Sequence, residues 1–175
     1  LFLIFPINTF ALVLGEDGLY EEPWIIETFK DLREDLEEAN QEQKRFMVLF
    51  EQKGCGYCKK MHEKVYSIPE IASTLQDDFF VIRINIFGDI EVTDFDGETL
   101  PEKEIVKKWG VMFTPTVMFF PEKINHKTIF QINLIMFYFD RLLKSNKIIN
   151  KNLLYKNSIF FYKFDVFIFS IFFTL

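Results

Sequence analysis

Both cysteines of this chain lie in one stretch, FEQKGCGYCKKMH (50–62), at the point where a short continuous apolar run, RFMVLFEQ (45–52), gives way to the helix-like CKKMHEKVYS. An uninterrupted apolar run of that length reads as a strand buried on both faces, and the following segment reads as a helix that stops before Pro69. Three chemistries compete for a cysteine pair placed there. A structural staple gains little, because the loop it closes is too short to restrict the unfolded chain much. A zinc site needs about four ligands, and the remaining candidates, His62 and His126, are far apart and unpaired. A redox pair fits. Cys55 stands at a helix start, where free N–H groups and the helix dipole favour thiolate over thiol, and Lys59 and Lys60 add positive charge. Cys58, one turn on, can reach back to attack a mixed disulfide formed at Cys55.

The rest of the chain sets this motif in an α/β pattern. PWIIETFKDLREDLEEANQEQK (23–44) carries Trp24, Ile25, Phe29, Leu32 and Leu36 at three- and four-residue spacing, which predicts one amphipathic helix with Pro23 near its first turn. PEIASTLQDD predicts a second short helix, FFVIRINI (79–86) a strand, KEIVKKWG (103–110) a helix, and FTPTVMFF (113–120) a strand with proline at its entrance. KTIFQIN (127–133) reads as a last strand and FYFDRLLK (137–144) as a closing helix. The long connection FGDIEVTDFDGETLPEKE contains Asp96-Gly97, a hairpin-turn signal. Its acids Asp89, Glu91, Asp94, Asp96 and Glu98 miss the register of a calcium loop. They predict a solvated hairpin, and the hairpin is where partner recognition is expected.

Proline cannot donate to a sheet ladder, so Pro115 at a strand entrance marks a defined position, and an X-Pro bond is the only routine site for a cis peptide. Taken together, MVLFEQ, GCGYCKKM and KWGVMFTPTVMFF resemble the thioredoxin superfamily over roughly residues 24–122. Among its members they are most similar to the exported thioredoxins associated with sulfur oxidation, the SoxW type. The resemblance implies a thioredoxin fold: a central mixed β-sheet flanked by helices, with the hairpin inserted before the cis-proline strand. It implies Cys55 as nucleophile, Cys58 as resolving cysteine and Pro115 as the cis-proline facing them. Thr114 would supply the backbone that pairs with substrate like an added strand. The family usually has Trp before the first cysteine and Gly-Pro between the two; here Gly54 and Gly56-Tyr57 stand there. The family's buried aspartate, proton acceptor for the resolving thiol, falls on Leu49. Glu51, at the end of the same strand, is the nearest replacement for proton transfer, with an exposed strand-end acid as the competing reading. His62, four residues after Cys58, reads as a packed or solvated histidine rather than a proton partner.

The formal net charge of −6 argues against a nucleic-acid-binding face. LFLIFPINTFALVLGEDG is expected to hold a truncated signal peptide over residues 1–15, with an N-terminal strand as the alternative; at roughly 14 apolar residues it is short of the ~20 a membrane span needs. Export to the periplasm or another oxidising compartment follows. Residues 23–145 are expected to form the thioredoxin-like domain. Residues 146–175, rich in Ile, Asn, Lys, Tyr and Phe with no Gly or Pro, read as a tail of foreign origin. The expected function is thiol–disulfide exchange on exported proteins by a monomer fed by a membrane or soluble thiol–disulfide electron donor, with no metal and no cofactor beyond the Cys55–Cys58 disulfide. Two alternatives stand beside it. Disulfide isomerisation fits Cys-Gly-Tyr-Cys and Thr114, but the residues before the first strand are too few for a dimerisation domain. A non-catalytic binding module has no use for both cysteines.

Overall fold

In the computed structural model, which describes residues 12–120 and 130–133, β3 (Arg45–Glu51) is the central strand. It pairs in parallel with β4 (Phe79–Asn85), with Met47 opposite Val81 and Leu49 opposite Arg83. On its other side it runs antiparallel to β7 (Thr116–Phe119), which in turn pairs with β8 (Phe130–Asn133). The strand order is therefore β4-β3-β7-β8, a mixed sheet.

Alternation along β3 explains its apolar run. Phe46, Val48 and Phe50 face a core built with Phe80, Ile82, Ile84 and Met118 beneath α1 (Leu32–Gln41) and α4 (Glu102–Lys108). Met47 and Leu49 face the opposite core, with Val81, Val117 and Phe119. That second core is closed by α2 (Gly56–Met61), the π-helical turn His62–Tyr66 and α3 (Pro69–Asp78), through Met61, Val65, Tyr66, Ile71 and Leu75. Pro69 sits in the first turn of α3, where its missing N–H costs nothing. Helices on both faces make the α/β layering of the thioredoxin-like fold expected from the motif pattern.

The helix expected over 23–44 is shorter. Residues 23–31 are not helical: Ile25 bridges Val81, and the Ile26 N–H donates to the Val81 carbonyl at 2.8 Å. This arm gives β4, otherwise the sheet's edge strand, a partner for part of its length. Lys30 then takes a left-handed conformation (φ 57°), and Asp31 caps α1 by accepting from the Arg33 N–H at 3.1 Å. The apparent period thus joined two elements: Trp24 is buried with the arm, whereas Phe29 is fully exposed. A buried ion pair, Lys30 Nζ to Glu102 Oε1 at 2.5 Å, ties the arm to the start of α4.

The inserted hairpin is β5 (Glu91–Thr93) and β6 (Thr99–Pro101), turning at Gly97 (φ 87°). Of its five acids, Asp89, Glu91, Asp96 and Glu98 are exposed, as expected of a solvated hairpin, and Asp94 is the exception. Asp94 is buried, and Lys108 of α4 pairs with Asp94, Asp96 and Glu98 at 2.6–2.9 Å. These hydrogen bonds, that to Asp94 first, hold the Lys108 ammonium above the usual lysine range. The Trp109 indole donates to Asp94 and its ring stacks on Phe95. A short pair, β1 (Val13–Leu14) with β2 (Tyr20–Glu21), precedes the arm. Residues 1–11 of the expected signal segment, the expected helix 137–144 and the tail 146–175 lie outside the described residues. No helix among the described residues is long and apolar enough to cross a membrane.

Candidate active site

The strand β3 ends at Glu51, and three residues carry the chain to Cys55. Gly54 makes the final bend in a left-handed conformation (φ 74°), and a side chain there would meet nothing within 4 Å. Cys55 is the N-cap of α2, with extended backbone, and its sulfur accepts the Cys58 backbone N–H at 2.9 Å. One of the orphan donors of the helix start is therefore aimed at this sulfur. Cys55 and Cys58 are joined as a disulfide with their Cα atoms 5.2 Å apart. Cys58 is fully buried, whereas Cys55 keeps a small exposed surface.

Across from the disulfide, the turn leading into β7 brings in Thr114 and Pro115, whose connecting peptide bond is cis. The Thr114 hydroxyl donates to Cys55 Sγ at 3.4 Å, and the Thr114 carbonyl oxygen lies 3.8 Å from the same sulfur. Of the two sulfurs, then, Cys55 is the one that receives a backbone N–H from beneath and a hydroxyl from the facing turn. Next in sequence to the cysteines and to Thr114 are apolar residues that the core leaves outside: Tyr57, Met112 and Phe113 are 71%, 76% and 63% exposed. Gly56 and Gly110 add open surface, since a side chain at either would meet nothing within 4 Å. Lys60 Nζ lies 5.4 Å from the centre of the Tyr57 ring. These exposed groups had no signal in the sequence, because a lone Met-Phe pair before a strand reads as part of that strand.

Glu51 is completely buried, so the reading of it as an exposed strand-end acid is corrected. Its side chain follows Met47 and Leu49 onto the face that carries α2. Oε1 accepts from His62 Nε2 at 2.9 Å, while Oε2 has no hydrogen-bond partner among the described residues. His62 is itself buried, and its other ring nitrogen, Nδ1, lies 2.8 Å from Glu22 Oε1. Burial alone would lower the His62 pKa, but the bonds to Glu22 and Glu51 outweigh it and hold it above the ordinary histidine value. Tyr20 and Tyr66 pack against the imidazole with ring centres 4.8 and 5.1 Å away. Burial, then the Glu51 and Glu22 charges, push the Tyr66 hydroxyl well above the usual phenol range. Glu22 was unmarked in the sequence: forty residues separate it from His62.

A mixed sheet with this cysteine pair at a helix start, opposite a proline turn, defines a protein of the thioredoxin class. The chain belongs to the thioredoxin-like domain family, whose pattern it matches over residues 32–132. Three solved structures are similar in fold. A thioredoxin-fold protein from Helicobacter pylori is 20% identical, with a TM-score of 0.45, covering 58% of this chain and 68% of that one. A thioredoxin from Thermus thermophilus is 22% identical, with a TM-score of 0.46, covering 66% and 82%. The DsbH oxidoreductase is 14% identical, with a TM-score of 0.44, covering 74% and 92%. Among curated proteins, none matches the chain significantly.

Proposed function

We propose that this protein is a thiol–disulfide oxidoreductase of the exported, sulfur-oxidation-associated type, reducing disulfides in other exported proteins. The observation that carries this reading is the asymmetry of the pair. Cys55 keeps a small exposed surface and has two donors on its sulfur, the Cys58 N–H and the Thr114 hydroxyl, while Cys58 is fully buried. Donors of that kind stabilise a thiolate more than a thiol. In the reaction, the Cys55 thiolate attacks a substrate disulfide, forming a mixed disulfide and releasing one substrate thiolate. Cys58 then attacks Cys55 Sγ, closing the Cys55–Cys58 bond and releasing the second. The substrate gains two electrons and the cysteine pair loses them. Thr114 and Pro115 border the substrate, the Thr114 backbone pairs with it, and Tyr57, Met112 and Phe113 offer it an apolar rim. Glu51 takes the proton that Cys58 must lose.

The protein works as a monomer, needs neither metal nor organic cofactor, and is returned to the dithiol by a membrane or soluble thiol–disulfide donor. The apolar stretch at residues 1–14 supports a periplasmic or otherwise exported location, and residues 23–145 are the catalytic domain. Single serine variants test the reading. Cys58→Ser should accumulate mixed disulfides with protein substrates through Cys55, and Cys55→Ser should not. Equal trapping by both, or by neither, would overturn the assignment.

A further inference from the structure

Three side chains form a continuous hydrogen-bonded line from the buried side of α2 to the surface. Glu51 stands at the inner end with a side chain 1% exposed, His62 is in the middle at 0%, and Glu22 is at the outer end at 17%. Glu22 also lines an open surface cavity of about 240 Å³, together with Glu21, Ile25, Glu27 and Arg83. At the inner end, Glu51 Oε2 is buried with no hydrogen-bond partner among the described residues. An orphaned carboxylate oxygen in a core costs free energy unless something uses it. His62 lies one turn beyond Cys58, its backbone N–H donating to the Cys58 carbonyl. Glu51 and Cys58 are both fully buried, at the end of β3 and the start of α2 respectively.

We infer that Glu51, His62 and Glu22 form a proton relay that carries the Cys58 proton to solvent when the mixed disulfide is resolved, and returns it when the disulfide is reduced. This rests on the redox reading above and adds the route. Glu51 Oε2 takes the proton of the Cys58 thiol. The Cys58 thiolate attacks Cys55 Sγ, forming the Cys55–Cys58 bond and breaking the bond from Cys55 to the substrate sulfur, which leaves as thiolate. His62, donating through both nitrogens, passes its Nδ1 proton to Glu22, which yields it to water in the cavity. Before transfer the three groups hold two carboxylates and one imidazolium; afterwards they hold one neutral acid, one neutral imidazole and one carboxylate. The net charge is −1 in both states, so the relay leaves no extra charge in the core, where an uncompensated one is costly. Reduction runs the same steps backwards.

The other groups facing His62 do not compete for this role. Tyr20 from β2 and Tyr66 from the π-helical turn pack their rings on the imidazole. The Tyr66 hydroxyl stays protonated at working pH, because burial raises it. Arg83 of β4 donates to the Tyr20 carbonyl and pairs with Asp17 and Glu27.

The test uses the reduced full-length chain and a chromogenic aryl disulfide, whose first thiol release reports attack by Cys55 and whose second reports resolution by Cys58. Glu22→Gln should leave the first phase unchanged and slow the second about tenfold near pH 6.5, a fraction of the ~10²–10⁴ a general base supplies. The gap should close near pH 9, above the ordinary thiol value of about 8.5, where hydroxide removes the proton directly. A second phase identical to that of the wild type at every pH overturns the relay while leaving the redox reading intact. Absence of both phases in the wild type removes the redox reading and the relay with it. NMR titration of His62 in the unmutated chain gives an independent readout. The relay leaves the proton on Glu51 once the disulfide has formed, and a neutral acid no longer holds the imidazolium, so His62 should lose its proton at lower pH in the disulfide form than in the dithiol form. Equal midpoints would show that Cys58 and Glu51 do not communicate, and the relay would fall.

Discussion

The Thr114 hydroxyl is the one side-chain donor seen on Cys55 Sγ among the described residues, and replacing Thr114 with valine deletes it while keeping a β-branched side chain of nearly the same shape. A hydrogen bond to a charged partner is worth ~1.5–3 kcal/mol net. At 3.4 Å to a diffuse sulfur acceptor, and with the Cys58 N–H retained at 2.9 Å, the low end applies. A loss of about 1–1.5 kcal/mol is roughly a five- to tenfold smaller thiolate share wherever the thiol form dominates. The assay is alkylation of Cys55 in the reduced protein, followed by mass spectrometry across pH. On the acid limb the rate is proportional to thiolate, so Thr114→Val should react about five- to tenfold more slowly, whereas Thr114→Ser should stay within about twofold of wild type. Valine and wild-type proteins that alkylate alike on that limb would refute the claim that the facing turn stabilises the thiolate. The helix start alone would then have to do so.

Two further perturbations test the surroundings. Lys30→Met strands the Glu102 carboxylate, whose side chain is 2% exposed, and should cost ~3–5 kcal/mol, lowering Tm by roughly 10–20 °C; Lys30→Met with Glu102→Leu should recover more than half of it. An additive double variant would mean the pair is not coupled. Asp35 is buried on α1 and its carboxyl is pushed up to about 6, by burial first and then by Asp31, Glu38 and Glu34, with the Thr28 hydroxyl opposing. The folded state therefore binds this proton more tightly than the unfolded chain does, so stability from this group is full below about pH 4 and is lost as pH rises through 6. Asp35→Asn should raise stability by about 1–3 kcal/mol at pH 7.5 and by almost nothing at pH 3.5 in urea melts. Equal gains at both pH values would assign the effect to something other than titration.

Local chemistry made much of the fold legible. The apolar run 45–52 announced a strand buried on both faces, Pro69 marked the start of α3, and Asp96-Gly97 marked the hairpin turn. Residues 23–31 misled because their conformation is set by a partner far along the chain: Ile25 belongs to the edge of β4 through Val81, and nothing local to Ile25 encodes that. One signal for the true helix start was present, since Asp31 with Glu34 three residues later has the form of a capping box. The cysteine pair and Thr114-Pro115 were visible because each is a short motif with its own backbone chemistry. The Glu22–His62 contact was invisible for the opposite reason. It joins a residue just after β2 to one just after α2, and neither carries a local pattern.

Strand geometry accounts for where the buried carboxylate of β3 stands. Side chains alternate along β3, so among its residues only Arg45, Met47, Leu49 and Glu51 point toward the face that carries α2. An acid moved from position 49 by one residue would enter the other core, beneath α1 and α4, with Phe50 and Val48. Moved by two residues toward the end of the strand, it stays on the α2 face and approaches the loop that leads into Cys55. Leu49 can then be apolar and fill the core with Val117 and Val81, while Glu51 sits where the sheet gives way to the helix start. The move has a consequence. A carboxylate at the strand end lies within reach of a residue one turn beyond the second cysteine, and His62 takes that place with one nitrogen on Glu51 and the other on Glu22. Restoring aspartate at Leu49 while making Glu51 leucine would therefore strand His62 between one carboxylate and an apolar wall. The two positions are not interchangeable in this chain.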